Sequence, residues 1–369
     1  MKYLFYFLSL FSHIYILANP DWMMLSLYED FSHANFTDLK TRINSIQKRF
    51  PDIPNTFGIV QVVVKNHKAK FYWPKEGEDN KAVRKPMEKS IQNICENFAL
   101  KDFTFFFCMH DQYHHKNGFE KFQIPVLVFT KHKGANDEIA IPDWTALGGY
   151  DDVTKDQNPD EFINQLASKF PFNKRIKKAL WRGGCSGHLG PTENWAQSER
   201  GHLVYESTNK KSYLLDIKYS EFKSRYPTLD KSMDKSPFVA GKKSLEDHFK
   251  YRYLIDIDGW GATYSRLWWI LGSGSLCLKL TSNLEQWYYR GLIDNIHYIS
   301  ISKDINEIEA KIEYFNQNPK TAEELANNAK IFWKKYLSQR NQRRYFLYIL
   351  RYYSELFNDI DYLDSKKNL

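Results

Sequence analysis

Apolar residues in this chain fall into short runs separated by polar turns, and the clearest series lies between residues 250 and 280. The run Tyr253 to Ile257 predicts a buried strand, and Ser275 to Leu280 predicts a second one. Between them, a glycine-containing loop leads into the amphipathic run Arg266 to Leu271, which predicts a helix. Strand, loop, helix and strand within about thirty residues form a βαβ unit.

The loop of this unit, Gly259 to Ser265, is suited to binding an anion. Backbone N–H groups converge at a helix N-terminus, where the helix dipole also favours negative charge. Arg266, at the start of the predicted helix, can add a charge-assisted contact to a phosphate. The unit therefore suits a diphosphate, although a glycine-rich turn is also compatible with a simple tight turn. The loop residues nearest to the helix are Gly261, Ala262, Thr263, Tyr264 and Ser265.

The rest of the pattern predicts an α/β chain in two parts. Helical spacing covers Arg84 to Phe98, a helix begins at Ile305, and the tail Ala322 to Leu356 is helical and basic. Residues 200 to 245 are polar and irregular. Further strands are predicted at Gly58 to Lys65, Phe103 to Met109, Ile124 to Phe129, Ala179 to Arg182 and His297 to Ile301. We place the domain boundary between residues 172 and 173, which predicts two α/β domains with a cleft between them.

The N-terminus carries a basic Lys2 and then an apolar run, Tyr3 to Ala18, that is short for a membrane span. Residues 1–18 therefore predict a secretory signal peptide or a short anchor, with a buried helix as the alternative. The expected location is the secretory pathway or the cell envelope. A cytoplasmic, membrane-associated protein is the alternative.

Composition restricts the partners. The chain has 369 residues, a formal net charge of +8 and a pI near 9.0, which suits an anionic substrate or a membrane surface. Lys and Arg are spread along the chain between acids, and no nucleic-acid-binding motif is present, so we exclude nucleic acid as a partner. The four cysteines are too few for a disulfide scaffold, although Cys95 and Cys108 could pair.

Several segments resemble motifs of glycosyltransferase family 90, the CAP10-like group that includes Rumi-type protein O-glucosyltransferases and bacterial lipopolysaccharide-modifying proteins. The similar segments follow the family's order and lie between Phe103 and Ile308. They are His110-Asp111, Ile141 to Thr145, Trp181-Arg182-Gly183, Lys250 to Tyr253 with the loop Gly259 to Arg266 and Gly274 to Leu276, and Trp287 to Tyr289 with Ile296 to Ile299.

The resemblance implies a GT-B-like fold with two Rossmann-like domains, a cleft between them, and C-terminal helices that pack back. Residues 19–172 would form the acceptor domain and residues 173–369 the nucleotide-sugar domain. The implied activity is inverting transfer from a UDP-sugar without a metal or another cofactor. The Rumi-type peptide-contacting segment is not matched by Gly148 to Gln157, which favours a glycan or lipopolysaccharide acceptor over a protein acceptor.

Asp111 is the candidate catalytic base. It follows an apolar strand, at the strand end where α/β folds place functional groups, and the resemblance implies that it takes the acceptor proton. A turn-capping role is the alternative. Together with His110, His114 and His115 it could instead bind a metal ion.

The candidate donor-binding residues are Arg182, Gly183 and the loop Gly261 to Arg266, because a guanidinium beside a glycine turn can bind a phosphate in bidentate fashion. Asp256 and Asp258 lie on one strand face and resemble a metal-binding DxD pair, with loop ordering or ribose contact as the alternative.

Trp144 and Tyr289 are candidate platforms for a sugar ring, with core packing as the alternative. Two other functions remain open at this point. One is a non-catalytic nucleotide- or glycan-binding protein of the same fold. The other is a peripheral membrane protein whose basic helical tail binds anionic lipid.

Overall fold

The computed structural model describes residues 22–47, 58–74, 80–113, 119–155, 157–186, 194–223, 231–233 and 236–367. The chain divides into two units. The first comprises residues 1–148, 285–291 and 342–369, and the second comprises residues 149–284 and 292–341. The first boundary therefore falls at residue 148 and not at the predicted residue 172, because the helix Pro159–Ser168 packs against the helix Tyr264–Ser273 of the second unit. The predicted signal segment, residues 1–18, lies outside the described residues.

The first unit is built on a five-stranded mixed sheet with the strand order β2-β1-β3-β4-β6. Strands β1 and β2 form an antiparallel hairpin, β1 is also antiparallel to β3, and β3, β4 and β6 run parallel. The strands are β1 (Ile59–Lys65), β2 (Lys68–Tyr72), β3 (Phe103–Cys108), β4 (Val126–Val128) and β6 (Glu138–Ala140). The helices are α1 (Trp22–His33), α2 (Leu39–Gln47), α3 (Lys81–Asn97) and α4 (Trp144–Leu147), with 3₁₀ turns at Phe119–Phe122 and Tyr289–Gly291.

Strand β3 is the centre of this unit, and all six of its residues are buried. The final helix of the chain, α12 (Gln339–Lys367), packs on it. The buried ring of Tyr353 lies 6.1 Å from the rings of both Phe103 and Phe105, and its hydroxyl donates to the carbonyl of Pro125 at 3.2 Å. The prediction that the C-terminal helix packs back is therefore confirmed for this unit.

The second unit is built on a five-stranded sheet in which every pair is parallel, with the order β12-β10-β9-β7-β8. The strands are β7 (Ile176–Gly184), β8 (Leu215–Glu221), β9 (Tyr251–Asp256), β10 (Leu276–Leu280) and β12 (Ile299–Ile301). The helices are α5 (Asp151–Thr154), α6 (Pro159–Ser168), α7 (Glu199–Asn209), α8 (Leu245–Phe249), α9 (Tyr264–Ser273), α10 (Ile305–Gln317) and α11 (Pro319–Tyr336), with 3₁₀ turns at Phe172–Lys174 and Trp195–Gln197. Two further two-residue strands, β5 (Lys131–His132) and β11 (Leu284–Glu285), lie outside both five-stranded sheets.

The strand order of the second unit is that of a doubly wound sheet, in which two halves of the sheet are wound outward from one internal point. The prediction of an α/β fold with a Rossmann-like second domain is thus confirmed, whereas the hairpin β1–β2 makes the first sheet mixed. The interval from 200 to 245 was predicted to be irregular, which is wrong in part, because it contains α7 and β8. Strand β8 is an edge strand with alternating burial, so its sequence LDIKYSE lacks the apolar run of a central strand.

Two predictions about the chemistry of the chain can be checked on the fold. All four cysteines are free and buried, so the pairing of Cys95 with Cys108 is wrong. Burial raises the pKa of Cys95 to about 11 and that of Cys108 to about 12, which keeps both thiols protonated at neutral pH. No helix within the described ranges is both long enough and apolar enough to cross a bilayer.

Candidate functional site

The order of the second sheet reverses between β7 and β9, since β8 lies on one side of this pair and β10 and β12 on the other. Ligands of doubly wound sheets bind outside the carboxyl ends of the strands at such a switch point. Strand β7 ends at Gly184 and β9 ends at Asp256. The sheet therefore brings Arg182 and Gly183 to the same edge as the loop Gly261 to Ser265 and Arg266.

The loop after β9 is held by its own acidic residues. The Thr263 hydroxyl donates to Asp256 Oδ1 at 2.5 Å, and the Thr263 amide donates to Asp258 Oδ1 at 3.1 Å. Both carboxylates are buried, and Lys279 Nζ lies 3.0 Å from Asp256 Oδ2. These bonds fix the residue that precedes α9, so Asp256 and Asp258 order the loop.

Helix α9 is anchored along its length. Its residues from Leu267 to Ser273 are buried, and Trp268 Nε1 donates to the carbonyl of Leu337 at 2.9 Å. The ring of Tyr150 stacks on Trp268 with the ring centres 3.8 Å apart. Because these contacts fix the helix axis, they also fix the direction of its positive N-terminal end.

Arg266 lies in the first turn of α9 and is half-buried. Its Nη2 donates to the carbonyl of Arg182, and its guanidinium lies 5.9 Å from the ring of Trp181 and 5.7 Å from that of Trp269. Burial and then the charge of Arg200 lower the pKa of Arg266 to about 10, so it remains charged at neutral pH. Within the described part of the chain, the other N–H groups of this guanidinium make no hydrogen bond, which leaves donors for a ligand.

Arg182 has a different environment, and only 6% of it is exposed. Its Nη2 pairs with Asp216 Oδ1 at 2.5 Å, and its Nη1 donates to the carbonyls of Trp181 and Asp216. Asp216 Oδ2 also accepts from the Tyr251 hydroxyl at 3.0 Å. Arg182 Nε is buried with no hydrogen-bond partner among the described residues, so one donor lies outside the Asp216 pair, and the Arg182 carbonyl orients Arg266. The bidentate phosphate contact by Arg182 stays a prediction.

Arg200, on α7, is a site residue that the sequence analysis missed. Its Nε donates to the carbonyl of Asp258, its Nη2 to Ile257, and its Nη1 to Gly184, at 2.9 to 3.1 Å. The side chain thereby joins the ends of β7 and β9. Gly259 makes this possible, because a Cβ there would lie 2.9 Å from Arg200 Nη2. A single arginine in a polar segment gave no pattern from which this role could be predicted.

His248 lies close to the charged groups of the site. Its Nδ1 lies 2.8 Å from the carbonyl of Ser244, which makes Nδ1 the protonated nitrogen, and Nε2 is buried with no hydrogen-bond partner in the described ranges. Burial, together with the positive charges of Arg266, Arg182 and Lys243, lowers the pKa of His248 to about 4, although the hydrogen bond to the Ser244 carbonyl acts to raise it. The imidazole is therefore neutral at pH 7.

The first unit places two predicted residues at one sheet edge. Asp111 follows β3 and Trp144 follows β6, and both strands run parallel to β4, so their carboxyl ends share an edge. Asp111 is exposed and Trp144 is half-buried at the start of α4. Gly58, with φ +71°, lets the strand end pack closely, since a Cβ there would lie 2.2 Å from the His110 ring. His114 and His115 lie outside the described residues.

Tyr289 lies in the 3₁₀ turn Tyr289–Gly291. It is half-buried, and its ring packs edge-on against Tyr288 at 5.2 Å. The turn is fixed by Arg290, which lies 3.0 Å from the buried Asp30 of α1. Among the side chains that the structure describes, no three or more of His, Cys, Asp and Glu are grouped to hold a metal ion.

Comparison with known proteins adds an independent line of evidence. Protein O-glucosyltransferase 2 from Danio rerio is 24% identical over 348 residues, which cover 90% of this chain and 64% of that protein. Protein O-glucosyltransferase 1 from Homo sapiens is 25% identical over 252 residues, 64% of this chain and 58% of that protein. O-glucosyltransferase LpsA from Dichelobacter nodosus is 26% identical over 121 residues, 32% of this chain and 38% of that protein. The chain spans less than two thirds of the length of each relative.

The family assignment rests on a longer match. The sequence profile of the family described as "Glycosyl transferase family 90" matches residues 62–360, which is most of the chain and includes the whole second sheet and all but the first three residues of β1 in the first sheet. The resemblance predicted from the short motifs is thereby confirmed, and the chain belongs to glycosyl transferase family 90.

Proposed function

We propose that this chain is an inverting glycosyltransferase that moves a sugar from a UDP-sugar to a hydroxyl group of a glycan or lipopolysaccharide acceptor. The observation that carries the proposal is Arg266. It is a charged guanidinium with unused donors, in the first turn of a rigid helix, at the switch point of a doubly wound sheet.

The chemistry requires positive charge at this place. As the bond between the sugar and UDP breaks, negative charge develops on the leaving diphosphate, and preorganised donors stabilise it more strongly than the ground state. Arg266 and the N–H groups of residues 261–265 would supply that stabilisation. Gly183 lies at the same strand end, and Arg182 would contribute its charge and the carbonyl that orients Arg266.

Asp111 is the proposed base. An exposed carboxylate at the carboxyl end of β3 can accept a proton from an acceptor hydroxyl, which would then attack the anomeric carbon opposite to the departing UDP. This role comes from the family resemblance, and the position of Asp111 at a strand end supports it. Trp144, half-buried at the same sheet edge, and Tyr289, half-buried in its 3₁₀ turn, are the two proposed sugar platforms.

The acceptor is proposed from the sequence and the relatives. Two of the relatives are named as protein O-glucosyltransferases, which favours a protein O-glycosyltransferase as the alternative. The difference in residues 148–157 favours a glycan or lipopolysaccharide. We leave the sugar as a hexose or a pentose and propose that no metal ion or other cofactor takes part.

The predicted location in the secretory pathway or cell envelope, with peripheral membrane association, stays part of this proposal. Its basis is the apolar run before Asn19 and the basic charge of the chain.

A panel of UDP-sugars tests the proposal. UDP release would be measured for each donor, with EDTA and with added Mn²⁺, in the presence of glycan acceptors or water alone. Donor-specific UDP release in EDTA is the expected result. UDP binding without release from any donor would favour a non-catalytic nucleotide-binding protein. Association with anionic vesicles in the absence of UDP binding would favour a lipid-binding protein.

A further inference from the structure

Lys279, on β10, is a buried cation between two buried acids in the second unit. Its residue is 8% exposed, and Asp256 and Asp258 are 0% and 5% exposed. Strands β9 and β10 are parallel neighbours, and Lys279 lies directly opposite Asp256 in their register. The Lys279 Nζ is 3.0 Å from Asp256 Oδ2 and 3.8 Å from Asp258 Oδ1.

A lysine so deeply buried stays charged only if its partners outweigh the lost hydration. Burial lowers the pKa of Lys279, but Asp256 and Asp258 together raise it above its usual value. Arg200 is the second cation close to these acids, and its guanidinium is bonded to the carbonyls of Ile257 and Asp258. Two acids and two cations thus lie together at the start of the loop, where burial raises the pKa of Asp258 and the charge of Lys279 opposes that rise.

The two acids of this group lie at the end of β9, next to the proposed diphosphate site. Two carboxylates spaced by one residue at a strand end, next to a site for a diphosphate, are hard oxygen ligands of the kind that divalent cations prefer. In this chain an ammonium group already lies between them, and Thr263 donates to Oδ1 of each carboxylate, whereas Asp258 Oδ2 is buried with no hydrogen-bond partner among the described residues.

We infer that Lys279 is a built-in counter-cation that takes the place of a divalent metal ion between Asp256 and Asp258 and so fixes the loop that leads into α9. It is a positioning residue, because its nearest charged groups are the two acids. The inference rests on the proposed function only where it concerns UDP, since the counter-cation itself can be tested on the protein alone.

The first test creates space for a metal ion. Lys279→Ala removes the charge and leaves a gap between the carboxylates, whereas Lys279→Met removes the charge but fills most of the same volume. Lys311→Ala is the matched control, since it removes the lysine of a half-buried Lys–Glu pair elsewhere in the same unit. Mn²⁺ binding would be followed by electron paramagnetic resonance and by the shift in Tm, without nucleotide.

The expected result is saturable Mn²⁺ binding and a rise in Tm with Mn²⁺ for Lys279→Ala alone. Wild type, Lys279→Met and Lys311→Ala should show neither, and adding Asp258→Asn to Lys279→Ala should abolish the gain. An alanine variant that folds only with Mn²⁺ also supports the inference. Two results would overturn the inference. One is Mn²⁺ binding by wild type that Asp258→Asn abolishes, and the other is a folded Lys279→Ala variant that does not bind Mn²⁺.

A second measurement tests the inference if Lys279→Ala folds neither with nor without Mn²⁺. Without Lys279, the two adjacent carboxylates should share a proton, so their folded-state pKa rises above the unfolded value. Stability carried by that proton is present at low pH and lost as pH rises through the raised pKa. The loss of stability in Lys279→Met relative to wild type should therefore be greater at about pH 8 than at about pH 5.5. An equal loss at both pH values would show that Lys279 acts by packing alone.

UDP titration of the wild-type protein separates this inference from the proposed function. If wild type binds no UDP while the Mn²⁺ results are as expected, the proposed function fails and the counter-cation stands. If wild type binds UDP in EDTA but Lys279→Ala shows no gain of Mn²⁺ binding, the counter-cation inference fails and the proposed function stands.

Discussion

Arg266 and Arg182 are both arginines near the same strand end, but the structure gives them different environments. Arg266 has donors that no described residue uses, and Arg182 is paired with Asp216. Removing Arg266 should therefore affect the ligand, whereas removing Arg182 leaves a half-buried carboxylate without its cation. The two variants should differ more in stability than in activity.

The first prediction concerns these two arginines. Arg266→Ala should raise the barrier for transfer by roughly 2 to 4 kcal/mol, judged from kcat/KM, because it removes a charged donor from a preorganised site. Arg266→Lys should recover only part of this loss, since it keeps the charge without the planar fork. Arg182→Ala should lower both kcat/KM and Tm, and the double variant should be less than additive. A fall in Tm for Arg266→Ala as large as for Arg182→Ala would contradict this distinction.

Asp111 carries the second prediction. Asp111→Asn keeps the size and polarity of the side chain but cannot take a proton, so kcat should fall by about 10² to 10⁴. The affinity for UDP should change little, because Asp111 belongs to the first unit and the donor residues to the second. Steady-state rates and UDP titration of the same sample would decide the matter. Near-normal turnover would remove Asp111 from the mechanism.

The third prediction concerns His248 and pH. Its folded pKa of about 4 lies below the ordinary value of 6.5, so the unfolded chain binds more protons between these values. Stability is therefore lost as pH falls from about 6.5 towards 4. At pH 5 the loss from this residue is about 2 kcal/mol. Urea unfolding at about pH 7 and pH 5 should show this difference for wild type and a much smaller one for His248→Gln. The same pH dependence in both proteins would exclude His248 as its source.

At the scale of elements, the βαβ unit β9–α9–β10 could be predicted because its signals are local. A buried apolar run, a glycine-containing loop and an amphipathic run appear in order, and each was found within about two residues of its predicted bounds. Strand β8 and helix α7 could not be predicted in this way. Strand β8 is stabilised by pairing with β7, and α7 by packing on β8 and the turn Trp195–Gln197, contacts that a local pattern does not contain.

In the candidate site too, residues with a local sequence pattern were predicted, and residues whose roles depend on distant contacts were missed. Arg266 was predicted from its place at a helix start, and the loop from its glycines. Arg200 and Asp216 were missed because their roles depend on which strand ends the sheet brings together. Lys279 is one residue of an apolar strand, and only the register of β9 with β10 places it opposite Asp256.

The fourth prediction tests the junction between β7 and β9. A Cβ at Gly259 would lie 2.9 Å from both Arg200 Nη2 and Ser186 Oγ, so Gly259→Ala should displace Arg200 and cost roughly 1 to 3 kcal/mol of folding stability. Gly184→Ala is the matched control, because a Cβ there would meet nothing within 4 Å. Chemical denaturation of both variants provides the comparison. Equal stability of the two variants would show that Arg200 can move away without loss.

At the scale of the whole molecule, the sequence predicts two sheet-centred units but not the path of the chain between them. Residues 285–291 and 342–369 return to the first unit after the second has begun. Their anchors, Arg290 with Asp30 and Tyr353 with Phe103 and Phe105, join residues about 250 positions apart in the chain. Such contacts leave no periodic signal, which explains why the return of these two segments to the first unit could not be predicted. The predicted cleft stays a prediction.

The central proposal is that the switch point of the second unit binds the diphosphate of UDP without a metal ion. Calorimetric titration of UDP into the full chain in EDTA tests it most directly, with Arg266→Ala and Asp111→Asn titrated alongside. We predict saturable binding of one UDP by wild type and by Asp111→Asn, and an affinity at least about tenfold weaker in Arg266→Ala. No binding by wild type until Mn²⁺ is added, or unchanged affinity in a folded Arg266→Ala variant, would contradict the claim.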